Sequence, residues 1–128
     1  MNIALILAGG TGTRLGENIP KQYIMVNEKP IISYCLEKFS NHTEIDKIQI
    51  VADESWHDFI NDNFDGEISD FSSPGENRQL SILNGLSDIM KYASADDNVI
   101  IHDAARPLVT AKQISNCIKK LGEADGVL

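Results

Sequence analysis

Residues 3–8, IALILA, form an unbroken apolar run that stops at Gly9 and Gly10. A strand with one wet face alternates apolar and polar residues. A run with no polar position therefore predicts a strand covered on both faces, as in a parallel sheet sandwiched between helices. Two later segments repeat the signal: KIQIVA at 47–52 and NVIIHD at 98–103 read as strands, and EISDFSS at 67–73 as a short edge strand.

Helical patterns separate these strands. Pro30 opens PIISYCLEKF, where Ile31, Ile32, Cys35, Leu36 and Phe39 share one face and proline takes the first helical position. Ser55 and Asp58 have capping-box spacing ahead of Trp56, Phe59 and Ile60. Leu80, Leu83, Leu86 and Met90 recur every three or four residues, which predicts a helix in which Gly85 costs about 1 kcal/mol unless packing requires it. Thr110 and Gln113 form a capping box before Ile114, Cys117, Ile118 and Leu121, and Gly122 stands at the C-cap position. After it, EADGVL reads as the start of another strand. Strands alternating with helices predict a three-layer α/β sandwich with a mostly parallel sheet, in one domain of 128 residues. Ligands of such sheets bind beyond the carboxyl ends of the strands, so the turns GGTGTR and DAARP are expected to open on the same side.

Charge narrows the possible partners. With 11 basic and 19 acidic residues the formal charge is −8, which argues against nucleic acid or an anionic membrane as partner, since both demand basic surface. No apolar run approaches the roughly 20 residues of a membrane helix, and the first residues lack the basic start of a secretory signal, so a soluble, cytoplasmic protein is expected. Cys35 and Cys117 are expected to be reduced thiols, and His42, His57 and His102 are too scattered in sequence to suggest a metal cage. Any bound anion must then be held locally, and Arg14, Lys21, Arg78 and Arg106 all fall in or beside glycine or proline turns.

The stretch 7–23, LAGGTGTRLGENIPKQY, follows the first strand directly. Gly9, Gly10 and Gly12 permit positive φ and let backbone N–H groups approach an anion with no Cβ in the way, so a polyphosphate is the natural guest. Two familiar loops do not fit: G-x-x-x-x-G-K-[ST] is absent, and G-x-G-x-x-G fails because Leu15 occupies the third glycine position after Gly10 and Gly12.

Three motifs in order carry a resemblance: LAGGTGTRL with PKQY, then PGENRQLSILNGL at 74–86, then HDAARP at 102–107. Together they resemble the cytidylyltransferases of polyol phosphates, which act on 2-C-methyl-D-erythritol 4-phosphate or ribitol 5-phosphate. The resemblance implies a Rossmann-like nucleotidyltransferase fold, Mg²⁺ as cofactor, and transfer of CMP from CTP to a polyol phosphate with release of pyrophosphate. It implies that the backbone of Ala8, Gly9, Gly10 and Gly12 wraps CTP and that Arg14 and Lys21 hold the triphosphate as the catalytic cations. Gly75 and Ser81 would contact the cytosine, and Arg78 would organise that turn. Asp103 would lie by the ribose and the metal, and Arg106 would orient the acceptor or brace its loop.

The chain departs from the family pattern at Pro74 and Glu76, where glycine and aspartate are common. LAGG is nearer the ribitol-phosphate branch, whereas HDAARP is at home in the methyl-erythritol branch. Family chains also continue well past residue 128 and form homodimers through an exchanged arm, so residues 1–128 are expected to be the nucleotide-binding part of such a domain, with the C-terminal half missing. The alternatives are a CTP-binding fragment without catalysis, a sugar-phosphate nucleotidyltransferase using another nucleotide, and a receiver-like domain with Asp53 as phosphoacceptor. The last lacks an acidic pair after the first strand, where Ala8 and Gly9 stand.

Overall fold

The computed structural model describes residues 1–10 and 19–128. In chain order its elements are β1 (Asn2–Leu7), a 3-10 turn (Lys21–Tyr23), β2 (Met25–Val26), β3 (Lys29–Pro30), α1 (Ile31–Ser40) and β4 (Lys47–Val51). A second 3-10 turn (Glu54–Trp56) follows, then α2 (His57–Asp62), β5 (Asp70–Ser72), α3 (Arg78–Ile89), β6 (Asn98–Asp103) and α4 (Ala111–Leu121). Four strands form one all-parallel sheet in the order β5-β4-β1-β6, and β2 and β3 pair as a small antiparallel ribbon.

The apolar run of β1 is buried on both faces, as its lack of alternation predicts. Ala4, Ile6 and Ala8 join Ile48 and Ile50 of β4 in a core closed by Ile32, Leu36 and Phe39 of α1, Ile60 of α2 and Ile114 of α4. Ile3, Leu5 and Leu7 face the opposite layer, where Val51 and Ile89 of α3 meet them. A polar residue, Gln49, is also fully buried in the middle of β4. Its Nε2 donates to Ser72 Oγ at 2.8 Å and its Oε1 accepts from Tyr92 Oη at 3.3 Å, which satisfies the amide on both sides. Cys35 and Cys117 are free thiols, and burial pushes the Cys35 thiol up to about 12.

Local signals fare unevenly. Helix α3 is present, but the stripe that suggested it is mostly not its buried face: Leu80, Leu83 and Met90 are 40%, 56% and 78% exposed, and of the four only Leu86 packs, partly buried, against the core. The face against the sheet is Ser81, Gly85 and Ile89. A Cβ on Gly85 would lie 2.6 Å from Leu5 Cδ1 and 3.0 Å from Val51 Cγ2, so the glycine is what lets α3 approach the sheet this closely. The cap at the start of the second 3-10 turn is Asp53, not Ser55: the Asp53 carboxylate accepts from the Ser55 N–H at 3.0 Å and from its hydroxyl at 2.6 Å. Pro30 stands at the N-cap of α1, one residue before the expected place. Gly122 is the C-cap of α4 with φ −71°, so its left-handed freedom is unused. EADGVL forms turns rather than a strand; Val127 and Leu128 lie instead against the trough between β6 and α4.

The Thr110 capping box is formed as expected, with the Gln113 N–H donating to Thr110 Oγ1 at 3.1 Å and the Thr110 N–H donating to Gln113 Oε1 at 3.0 Å. Thr110→Ala is expected to lower stability by about 1 kcal/mol, and a urea melt showing no change would mean that tertiary contacts alone hold the start of α4.

Candidate functional site

From β1 the chain moves to β4 and β5 on one side and then jumps to β6 on the other, so the direction of winding reverses between β1 and β6. Beyond the carboxyl ends of those two strands lies a cavity of about 610 Å³. This is where an open parallel sheet holds its ligands.

The predicted residues converge on it from four segments. Gly9 and Gly10 come from the turn after β1, and Lys21 from the first 3-10 turn. Gly75, Arg78 and Ser81 come from the turn before α3 and its first residues, and Asp103 and Arg106 from the end of β6. Ala8 does not line the cavity; it is buried beneath it, 3% exposed. Gly12 and Arg14 lie outside the described residues.

Neither Gly9 nor Gly10 has a left-handed φ, and close approach explains only Gly9: a Cβ on Gly10 would meet nothing within 4 Å among the described residues. A Cβ on Gly9 would come within 2.6 Å of Pro74 Cβ, so the turn after β1 and the Pro74–Gly75 turn are locked together by the absence of a side chain. A Cβ on Gly75 would sit 2.4 Å from Leu80 Cβ and 2.7 Å from the Leu80 carbonyl carbon. Ser81 Oγ accepts from the Gly75 N–H at 3.0 Å, which ties this turn to the helix and leaves the hydroxyl its own proton to donate. The Asn77 side chain caps α3 by accepting from the Leu80 N–H at 2.9 Å, and the helix N-terminus opens on the cavity, a setting that favours anions.

Charge at the cavity runs against that of the chain. Lys21, Arg78 and Arg106 line it together with Glu76 and Asp103, three cations to two carboxylates in a protein of formal charge −8. Asp103 stands between the arginines: Arg78 Nε lies 3.2 Å from its Oδ1 and Arg106 Nε 3.3 Å from its Oδ2. The loop bearing Asp103 and Arg106 is held by the Ala104 N–H donating to the Leu7 carbonyl at 2.9 Å and by the His102 ring paired with the Arg106 carbonyl at 2.9 Å.

Among the described residues no group of three or more His, Cys, Asp or Glu side chains could hold a metal ion by itself. One carboxylate suits Mg²⁺ bound together with a phosphorylated ligand, since that ion is usually held by one or two carboxylates with water and phosphate oxygens completing its shell, provided that an Asp103 oxygen is released from its arginine. Asp103 is the carboxylate at a strand end here.

Sequence reasoning missed the residues under the glycine turn. Gln22 is 4% exposed, and its Nε2 donates to the carbonyls of Ala8 and Gly10, both at 2.9 Å. Tyr23 Oη donates to the same Ala8 carbonyl at 3.0 Å while its ring stacks on Trp56 with centroids 4.0 Å apart. The signal was the unbroken pairing of Gln22 and Tyr23 behind Lys21, but which atoms they would meet is a tertiary fact.

Sheet, switch point and cavity together define an α/β protein of Rossmann-like type with a cavity beyond the carboxyl ends of β1 and β6. A family profile described as IspD, 2-C-methyl-D-erythritol 4-phosphate cytidylyltransferase, matches residues 2–128, and the chain belongs to this family. It is 41% identical over 127 residues to a ribitol-5-phosphate cytidylyltransferase of Lacticaseibacillus paracasei, covering 96% of this chain and 54% of that one. It is 38% identical over 126 residues to a 2-C-methyl-D-erythritol 4-phosphate cytidylyltransferase of Clostridium botulinum, covering 95% of this chain and 54% of that protein. The crystal structure of a 4-diphosphocytidyl-2C-methyl-D-erythritol synthase superposes with a TM-score of 0.79 at 27% identity, over 96% of this chain and 55% of the other. The chain thus spans about half the length of the relatives it matches. No described helix is long and apolar enough to cross a membrane.

Proposed function

We propose that the chain is the nucleotide-binding part of a cytidylyltransferase that moves CMP from CTP to a polyol phosphate, ribitol 5-phosphate or 2-C-methyl-D-erythritol 4-phosphate, releasing pyrophosphate. The observation that supports this most is the convergence of Gly9, Gly10, Lys21, Gly75, Arg78, Ser81, Asp103 and Arg106 on one cavity at the switch point of the sheet.

In this reading the acceptor phosphate oxygen attacks the α-phosphorus of CTP in line and pyrophosphate departs, with no covalent enzyme intermediate, so the protein's work is positioning and electrostatic stabilisation. Lys21, with Arg14 from outside the described residues, holds the triphosphate and takes up charge as it builds on the departing pyrophosphate. The N-terminus of α3 and the turn after β1 supply backbone donors. Mg²⁺ bound with the nucleotide at Asp103 would neutralise phosphate charge. Gly75 and Ser81 would contact the cytosine, where a backbone carbonyl can accept from its 4-amino group and a hydroxyl can donate to its ring nitrogen. Uracil reverses that donor and acceptor pattern, so the pair selects CTP. Arg106 orients the acceptor phosphate.

A second reading is that these 128 residues, which span about half the length of the relatives, bind CTP without turning it over by themselves. Calorimetric titration of the 128-residue chain with CTP and with UTP, in Mg²⁺, tests what both share. CTP is expected to bind about 10- to 100-fold more tightly than UTP, the loss expected when one or two buried hydrogen bonds are mismatched. Equal affinities, or no binding by a chain that melts cooperatively, would sink the nucleotide reading. Pyrophosphate release on adding either polyol phosphate then separates enzyme from binding fragment.

A further inference from the structure

We infer that Gln22 is the positioning residue of the phosphate site: its carboxamide sets the peptide planes of the turn after β1 and fixes the backbone from which Lys21 reaches. The inference rests on the nucleotide reading above. Both hydrogens of the Gln22 amide are committed, one to the Ala8 carbonyl and one to the Gly10 carbonyl, each at 2.9 Å. In a trans peptide the C=O and the following N–H point in opposite directions. Drawing the Ala8 carbonyl down onto Gln22 therefore turns the Gly9 N–H the other way. A carbonyl allowed to swing upward would instead present a partial negative charge to a phosphate.

The same turn carries Lys21. Tyr23 N–H donates to the Pro20 carbonyl at 2.9 Å and Ile24 N–H to the Lys21 carbonyl at 3.3 Å, closing the 3-10 turn so that Lys21 is exposed while Gln22 and Tyr23 are buried. Tyr23 gives the Ala8 carbonyl its second donor and anchors the turn by stacking on Trp56 and meeting Phe59 edge-on at 5.7 Å. One side chain thus couples the glycine turn to the lysine across 12 to 14 residues of sequence. Glutamine suits this task because it brings two donors and no charge; a lysine there would compete for the phosphate, and an ionised glutamate would set two acceptor oxygens and no donor against the two carbonyls.

The test compares the wild-type chain with Gln22→Met, which keeps the length and loses the donors. Titrations use CTP, UTP and inorganic tripolyphosphate, with a thermal melt and the amide exchange of Gly9 followed by NMR. Gln22→Met is expected to fold and to lose about 10- to 100-fold in affinity for both tripolyphosphate and CTP, by analogy with the loss when a residue that orients a metal ligand is removed. Its ratio of CTP to UTP affinity should stay at the wild-type value, and Gly9 should exchange faster. A folded variant that binds both ligands like wild type overturns the inference, as does one that loses CTP while keeping tripolyphosphate. Should the variant not fold, the wild-type Gln22 side-chain amide decides: protection from exchange, retained when tripolyphosphate binds, supports the role, and exchange at the solvent rate removes it. A folded wild-type chain that binds neither CTP nor tripolyphosphate overturns the nucleotide reading and this inference together, whereas wild-type binding with an indifferent variant overturns this inference alone.

Discussion

Replacing Lys21 with alanine is expected to weaken CTP binding about ten- to 150-fold while leaving the melting temperature of the chain unchanged. The size follows from losing one charge-assisted hydrogen bond, worth about 1.5–3 kcal/mol, at about 1.4 kcal/mol per factor of ten. The absence of a folding effect follows from its surroundings: Lys21 is exposed, and among the described residues it forms no ion pair. Lys21→Arg should recover part of the affinity, because charge is kept while the compact ammonium gives way to a planar fork. Calorimetry on the two variants checks both statements. An alanine variant that binds CTP at wild-type strength would show that this lysine is a solvated surface charge. In an assay of turnover the loss should be larger, about 2.7–4 kcal/mol of barrier, if Lys21 acts as a single oxyanion donor does.

The largest expected effect on stability lies where α3 meets the sheet. Leu5 is fully buried and touches the helix at Gly85, so Leu5→Ala should cost about 2–5 kcal/mol, the sum of lost transfer energy and a residual cavity. Gly85→Ala in the wild-type background should also destabilise, by about 1 kcal/mol, because overpacking costing about 1–3 kcal/mol exceeds the gain of about 1 kcal/mol in helix propensity. The double variant should be more stable than Leu5→Ala alone. The new methyl group then enters the space that the Leu5 Cδ atoms vacate, 2.6 and 2.9 Å from where it would stand. A coupling of about 1 kcal/mol or more in a double-mutant cycle, read by urea denaturation, is the expected result. Strict additivity would mean that the helix stands further from the sheet than these distances place it.

The same contact explains what the sequence could and could not reveal. β1 was legible because burial on both faces leaves a one-dimensional trace, an apolar run without alternation. The buried face of α3 was not, because a helix pressed close to a sheet selects small residues there, and Ser81 and Gly85 look polar or costly when read alone. Leu80, Leu83 and Met90 supplied the period but point away from the core. Caps depend on which oxygen reaches which N–H, so Asp53 and Ser55, two residues apart, were easily exchanged. At the site, glycines and cations announced themselves by type and by turn. Gln22 did not, since its work consists of two hydrogen bonds to backbone atoms that any residue could supply.

The pairing of Asp103 with Arg78 and Arg106 has a consequence beyond the small stability that ion pairs of such exposed side chains confer. A carboxylate offers two oxygens on a short, rigid spacer, which is the nearest thing among side chains to one edge of a phosphate. Asp103 thereby holds two guanidinium groups together that would otherwise sample many rotamers in water. If the cavity takes a phosphorylated ligand, as proposed above, the phosphate would exchange partners with groups already gathered, and part of the entropy of assembling them would have been spent at folding rather than at each encounter.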